Sequence, residues 1–430
     1  MWEKIREKRI EIAIIGLGYV GLPLAVEFAK AGFSVIGIDL DEYKVKRINN
    51  GSSYITDVSN SSLAYVVNSG RLRATRDYGE LIRADIIDIA VPTPLSKSKT
   101  PDVRYIVMAM EGVKQYFRKD KAQLIILEST TYPGTTRELV VNELVACGYE
   151  LDRDFYAAFS PERVDPGNSR YRTENTPKVV GGASELSTKL AVALYSQVIH
   201  KVVAVKNCEE AEMCKLLENT FRAINIGFVN ELAMMCDKMG INIWNVISAA
   251  KTKPFGFMPF YPGPGIGGHC IPLDPIYLSW KAKHYGFFNR SIELASDINE
   301  NMPDFAIDKL LRIMNERKKL LNVSKVVMLG VAYKPDVNDC RESPALTMYE
   351  KLKELGALVE YYDPYVPFFY DKKGRTVRGI RVLNQETLNK SDIVVLITSH
   401  KVFDYQFIYD NASLIFDTRN AFRDYADNKV

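Results

Sequence analysis

The chain has 430 residues, of which 47% are apolar and 25% charged. At about 150 residues per domain this is ordinary globular stock with room for two or three cores. Fifty-six lysines and arginines against 53 aspartates and glutamates leave a net charge of +3. With no long like-charge block, nothing marks a general attraction to nucleic acid or to an anionic membrane.

Six scattered cysteines, Cys147, Cys208, Cys214, Cys236, Cys270 and Cys340, form no C-x-x-C pair. A disulfide framework and a zinc ribbon are therefore not indicated, and a reducing, cytoplasmic setting is expected. The four histidines, at 200, 269, 284 and 400, have no metal-ligand spacing, so no metal is expected. The uncharged run Ile12–Val26 after a charged start looks like a secretory signal. Glu11, Glu27 and Lys30 bracket it closely and glycines and Pro23 interrupt it, so a glycine-rich turn between strand and helix explains it better.

The first third alternates short β-rich runs with helical stretches. Strands are expected at Glu11–Ile15, Ser34–Asp39, Asp85–Val91, Gln123–Leu127 and Tyr156–Phe159. Most are continuously apolar, as in parallel strands covered on both faces. A helix over Val20–Ala31, closed by Gly32, completes the first βαβ unit. A long helix follows from Glu209 to Met239 with Gly240 as its stop, roughly 45 Å of helix. Such a helix spans between domains or packs against its twin in a dimer, and Leu217, Phe221 and Ile224 form its expected packing side. The loop from Pro254 to Pro275 then holds six prolines and five glycines in 22 positions. Loops of that length are functional or disordered, and its aromatic residues argue for the former.

Beyond it the βα rhythm restarts, with strands at Lys325–Gly330 and Leu358–Asp363 and a helix at Pro344–Leu355. The segment from Ser391 resembles the one from Ala84. The expected class is α/β: two Rossmann-like doubly wound parallel-sheet domains joined by a long central helix. The expected divisions are 1–205 for NAD binding, 206–305 for a helical dimerisation domain carrying the cysteine loop, and 306–430 for the second nucleotide domain.

The fingerprint Gly16-Leu-Gly18-Tyr-Val-Gly21 follows a strand and opens a helix. Its glycines allow a tight turn, close approach of a pyrophosphate, and close helix packing. Asp39 ends the next strand and suits a ribose diol, repels a 2′-phosphate, and so favours NAD over NADP. Three further loops, Pro92-Thr93-Pro94, Ser129–Gly134 with Thr130, and Ser160–Arg163 with Glu162, leave strands at their C-terminal ends, where open α/β sheets bind ligands. On the long helix Lys215, Asn219 and Arg222 share one face, just after Glu212. Cys270 follows paired glycines in the Gly/Pro loop and lies four residues before Asp274.

Taken together, these segments resemble the nucleotide-sugar 6-dehydrogenases, the UDP-glucose/UDP-mannuronate dehydrogenase family. The resemblance runs through Gly16–Gly21, Pro92–Pro94, Ser129–Thr135, Ser160–Arg163, Glu212–Glu231, Pro262–Asp274, Gly330–Pro335 with Arg341, and Asp417–Asn420. Leu273 in place of the lysine typical of UDP-glucose enzymes looks like the N-acetylhexosamine branch, and Pro161–Asn168 and Trp280–Lys283 look most like UDP-N-acetylglucosamine 6-dehydrogenases. UDP-N-acetylmannosamine and UDP-glucose dehydrogenases are the alternatives within the family, and a non-catalytic nucleotide-sugar binder the alternative outside it.

The resemblance implies oxidation of a C6 alcohol to a carboxylate with two NAD+, for surface polysaccharide or glycan precursors. Cys270 would carry a thiohemiacetal and then a thioester. Lys215 and Asn219 would polarise the developing oxygen charge, Glu162 would be the base of hydrolysis, and Thr130 and Asp274 would order the water. Cofactor contacts are implied for Gly16, Gly18, Tyr19, Val20, Gly21, Asp39, Lys44, Thr93, Thr130 and Arg341. Contacts to the UDP-sugar are implied for Arg163, Val164, Lys215, Asn219, Arg222, Phe260, Tyr261, Gly265, Gly267, Tyr333, Lys334 and Arg419. A homodimer or higher homo-oligomer is implied as well.

Overall fold

The computed structural model describes residues 1–55, 57–96, 99–165, 170–268, 270–425 and 429. The chain divides into two compact units, Met1–Glu218 with Ile276–Phe287, and Asn219–Pro275 with Phe288–Val430.

In the first unit eight strands form one sheet: β1 (Glu11–Ile15), β2 (Ser34–Ile38), β3 (Leu72–Thr75), β4 (Ile86–Ile89), β5 (Gln123–Leu127), β6 (Phe155–Phe159), β7 (Lys178–Gly182) and β8 (Val202–Ala204). Their order is β3-β2-β1-β4-β5-β6-β7-β8. All neighbours run parallel except β7 against β6, where Ala158 faces Gly182 and Phe159 faces Gly181. The continuous apolar runs are explained by burial on both faces. Ile12 and Ile14 join one core with Leu22 and Phe28, while Ala13 and Ile15 join another with Ile87 and Ile89. The order reverses between β1 and β4, which makes a crevice at the C-terminal strand ends. Asp88 breaks the apolar rule, a fully buried carboxyl inside β4.

The second unit has its own parallel sheet, ordered β10-β9-β13-β14. It is built from β9 (Lys325–Leu329), β10 (Leu358–Tyr362), β13 (Ile393–Leu396) and β14 (Ile415–Asp417). A small antiparallel pair, β11 (Phe368–Tyr370) and β12 (Thr376–Arg378), stands apart. The α/β class with parallel sheets and a Rossmann-type first unit is thus present. The strands β3, β7, β8, β11, β12 and β14 lacked a recognisable apolar run; five of these six have three or four residues.

The long helix covers Cys208–Met239, and Gly240 closes it at φ +68°, a backbone region that costs glycine nothing. Within the chain its expected packing side is left open. Leu217 is 60% and Phe221 45% exposed, while Glu212, Lys215 and Asn219 are buried. The polar face points inward because it is the one with partners. The Gly/Pro loop ends sooner than its composition suggests, since a helix begins at Asp274. Among the described residues no helix is long and apolar enough to cross a membrane.

Candidate active site

Each glycine of the fingerprint has a distinct job. Gly16 has φ +95°, and a Cβ there would lie 2.5 Å from the Ala90 carbonyl oxygen. At Gly21 a Cβ would lie 1.9 Å from the Gly16 carbonyl oxygen, so only glycine lets the helix start this close to the strand. At Gly18 a Cβ would meet nothing within 4 Å, so the missing side chain there opens space to the outside. The helix begins at Gly21 with no side-chain cap from Val20; the Leu22 N–H donates to the Gly18 carbonyl at 3.1 Å and Pro23 has none, so what the start offers an anion is the positive end of the helix. Tyr19 is exposed beside them. A dinucleotide pyrophosphate fits this turn. Asp39 accepts hydrogen bonds from the Leu17 N–H at 2.9 Å and from Lys44 Nζ at 3.0 Å, so it braces the turn as well as ending β2.

These contacts separate two substitutions. Gly21→Ala should lower stability by roughly 2–3 kcal/mol through overpacking, read as a lower urea midpoint. Gly18→Ala should leave that midpoint unchanged and weaken NAD binding. Equal midpoints for both variants would contradict this division of labour.

Thr93, Thr130 and Glu162 follow β4, β5 and β6 at their C-terminal ends. The Thr93 carbonyl accepts from the Tyr277 hydroxyl at 2.9 Å. The Ser129–Gly134 loop is held from below by Glu212, whose carboxylate accepts from Gly134 N, from Thr136 N at 2.8 Å and from Thr136 Oγ1 at 2.7 Å. Glu162 Oε1 accepts from the N–H groups of Arg163 at 2.7 Å and Val164 at 2.6 Å. Lys215 is buried and donates to the Glu162 carbonyl at 2.6 Å. Within the first unit, then, Lys215 and Glu162 meet across 53 positions of sequence. Arg163 donates to Glu218 at 2.6 Å and to the Pro177 carbonyl at 2.6 Å, which fixes its fork inside the protein.

Burial pushes the Glu212 carboxyl up to about 7, against the pull of its three donors. A folded-state pKa above the unfolded value stabilises the fold below about pH 4.5, and the contribution disappears as pH rises through about 7. Between these limits roughly 3 kcal/mol is at stake, at 1.36 kcal/mol per unit. Glu212→Gln should therefore flatten the pH dependence of the urea midpoint over that window. An identical slope in the variant would refute the assignment.

In the second unit Cys270 is exposed, and its carbonyl accepts from the Asp274 N–H at 2.9 Å, so thiol and carboxylate stand one helical turn apart. Asn219 donates to Asp274 Oδ2, and Arg222 donates to Asn219 Oδ1. The glycines ahead of the cysteine lie against the C-terminal sheet's loop. A Cβ on Gly267 would be 2.8 Å from Tyr333 Cβ, and the Gly268 N–H donates to the Arg341 carbonyl at 3.2 Å. Gly265 sits at φ +124° against Asn299 and Pro344. Phe260 packs edge-on to Phe221 and Tyr261 stacks on Trp244. Lys334 lies over the Tyr333 ring, and Arg341 pairs with Asp339 at 2.7 Å. Arg419 donates to the Ile397 carbonyl at 2.7 Å, and burial lowers its pKa to about 10. His269 and Pro166–Asn168 lie outside the described residues.

Sequence reasoning missed Glu212 as a loop anchor, and it missed Asp88, Glu128, Lys178 and Tyr195 altogether. Only the apolar context of Asp88 offered a signal, a carboxyl inside an otherwise hydrophobic strand.

A pyrophosphate turn at the sheet's switch point, with an acidic residue closing the second strand, defines an NAD-binding oxidoreductase. The chain belongs to the UDP-glucose/GDP-mannose dehydrogenase family. That family's NAD binding domain matches residues 10–199, its central domain 209–301 and its UDP binding domain 327–424. The chain is 35% identical over 396 residues to the UDP-N-acetyl-D-mannosamine dehydrogenase of Pyrococcus horikoshii, covering 92% of this chain and 90% of that one. It is 32% identical over 401 residues to the UDP-N-acetyl-D-glucosamine 6-dehydrogenase of Pseudomonas aeruginosa, covering 92% of each. The solved UDP-D-ManNAc dehydrogenase of Pyrococcus horikoshii superposes with a TM-score of 0.86 at 33% identity, covering 96% of both chains. NAD is the cofactor, and the C-terminal sheet belongs to a UDP binding domain.

Proposed function

We propose that the chain oxidises C6 of a UDP-N-acetylhexosamine to the carboxylate, in two successive two-electron steps. The cysteine of the Gly/Pro loop supports this reading over a simple alcohol dehydrogenase. Cys270 is exposed one helical turn from Asp274, which is itself held by Asn219. NAD, when bound, accepts a hydride in each step. Gly18 and the uncapped helix start hold its pyrophosphate, and Asp39 its ribose, with Lys44, Thr93 and Arg341 as further contacts. Lys215 and Asn219 stabilise negative charge developing on the substrate oxygen. Cys270 captures the aldehyde, so that it does not escape, and holds the acid as a thioester. Glu162 takes the proton of the hydrolytic water, with Thr130 and Asp274 ordering it. Tyr333, Lys334, Arg163, Arg222 and Arg419 serve the UDP-sugar.

Two configurations at C2 of the sugar are open to test. The Pro161–Asn168 run favours the gluco sugar, which we take as the first reading. The 35% identical relative from Pyrococcus horikoshii, named for the mannosamine substrate, favours the manno sugar. A panel of UDP-glucose, UDP-N-acetylglucosamine, its galacto isomer and UDP-N-acetylmannosamine decides between them by kcat/KM. Two NADH per sugar are expected. One would leave a simple dehydrogenase, and none a binding protein.

The reading assigns 1–205 to NAD, 206–305 to the helical middle and 306–430 to UDP, in a cytoplasmic setting. It includes a homodimer through the long helix, where Phe221, Phe228 and Met235 recur every seventh residue and all are exposed. A monomeric mass by light scattering would remove that part.

A further inference from the structure

Four ionisable side chains of the first unit meet out of reach of water. Asp88, Glu128, Lys178 and Tyr195 are each no more than 4% exposed. Lys178 Nζ lies 2.8 Å from Glu128 Oε2, 3.5 Å from the Pro161 carbonyl and 3.6 Å from Glu162 Oε2. The Tyr195 hydroxyl touches Glu128 Oε1 and lies 3.1 Å from Asp88 Oδ2. The reversal of direction at β7 makes this meeting possible. Because β7 runs antiparallel to β6, its first residue, Lys178, arrives at the sheet edge where β6 ends and Glu162 begins its loop.

One phenolic proton cannot serve two carboxylates. Burial, and then the charge of Glu128, raise the Asp88 pKa well above its usual range. Burial raises the Glu128 pKa as well, while Lys178 and the Tyr195 hydroxyl pull it down. Burial pulls the Lys178 pKa down, but Glu128 and Glu162 outweigh it, so the ammonium stays charged. A buried charge without partners costs several kcal/mol, and here Lys178 divides its charge between two carboxylates.

We propose that Lys178 is a positioning residue of the reaction: its buried ammonium fixes Glu162 Oε2 for hydrolysis of the Cys270 thioester. This rests on the reading of Glu162 as the hydrolytic base. In that step water's oxygen bonds to the acyl carbon, the carbon–sulfur bond breaks, Cys270 leaves as thiolate and the water proton passes to Glu162. No electrons are transferred. The other charges facing Glu162 are Glu128 and Asp88 behind Lys178, Lys215 on its carbonyl, and Arg163, which Glu218 occupies.

The test mixes full-length enzyme with NAD and the best UDP-sugar of the panel. It counts the NADH released in the first turnover and detects acylated Cys270 by intact mass. Glu162→Gln should keep a first-turnover burst, accumulate acyl-enzyme and turn over about a hundredfold more slowly. Lys178→Met should also keep the burst and accumulate acyl-enzyme, with turnover about tenfold down and the acid limb of the pH profile moved to higher pH. Lys178→Arg should restore turnover. Glu128→Gln gives Lys178 wholly to Glu162 and should move the limb to lower pH, and it carries the test if Lys178→Met does not fold. A merely structural lysine would lose burst and turnover together with the limb unmoved, and that result overturns the proposal while leaving the Glu162 reading intact. If Glu162→Gln accumulates no acyl-enzyme, the Glu162 reading falls and the proposal with it. An unmoved or raised limb in Glu128→Gln also overturns it.

Discussion

Cys270→Ser should abolish uronate formation, with turnover to the acid down by roughly 10³-fold or more, as expected when a nucleophile is removed. Binding of NAD and of the UDP-sugar should survive, because the fingerprint turn and the Tyr333–Lys334 loop are built from other segments. The thiol is suited to both halves of the reaction: it is a strong nucleophile near neutral pH, and its thioester remains open to water. The turn that holds residue 270 is made by its backbone carbonyl, which accepts from the Asp274 N–H, so exchanging sulfur for oxygen leaves that turn in place. Rapid-quench analysis of sugar products, alongside equilibrium binding of both ligands, checks the result. Wild-type acid formation by the serine variant would remove the covalent step.

Asp39→Ala should weaken NAD by about ten- to a hundredfold, the equivalent of one or two charge-assisted hydrogen bonds. It should weaken NADP far less and so relax the preference. The structure gives this prediction a second cause. In the native chain Asp39 holds Lys44 at 3.0 Å, and its removal turns that cation from a carboxylate partner into a partner for a 2′-phosphate. The Leu17 amide also loses its acceptor, so some slackening of the phosphate turn is expected with both cofactors. The ratio of the two KM values isolates the charge effect. An unchanged ratio would mean that Asp39 serves only to brace the turn.

Both predictions start from residues that sequence alone singles out, and the reason is local chemistry. The fingerprint glycines, the acidic end of β2 and the glycine-flanked cysteine are each defined by neighbours within a few positions. The parallel sheet was legible for the same reason, since strands such as Glu11–Ile15 and Gln123–Leu127 are buried on both faces and read as unbroken apolar runs. Helical spacing placed Lys215, Asn219 and Arg222 on one face. It did not say which face is buried within the chain, where Lys215 and Asn219 are covered while Leu217 and Phe221 are exposed. Amphipathic spacing gives the stripes of a helix, whereas burial depends on what comes to meet them.

By itself, then, the order of residues determined the α/β class and the cofactor turn, and singled out the candidate reactive groups. Tertiary structure decided which of those groups touch: Lys215 on the Glu162 carbonyl, Asn219 on Asp274, Glu212 under the Ser129–Gly134 loop, Lys178 between Glu128 and Glu162. Each of these pairs joins segments at least 16 positions apart, and most join segments more than 50 apart. A contact of that range is set by strand order and strand direction, above all by the single antiparallel step at β7, and no local pattern of side chains encodes either.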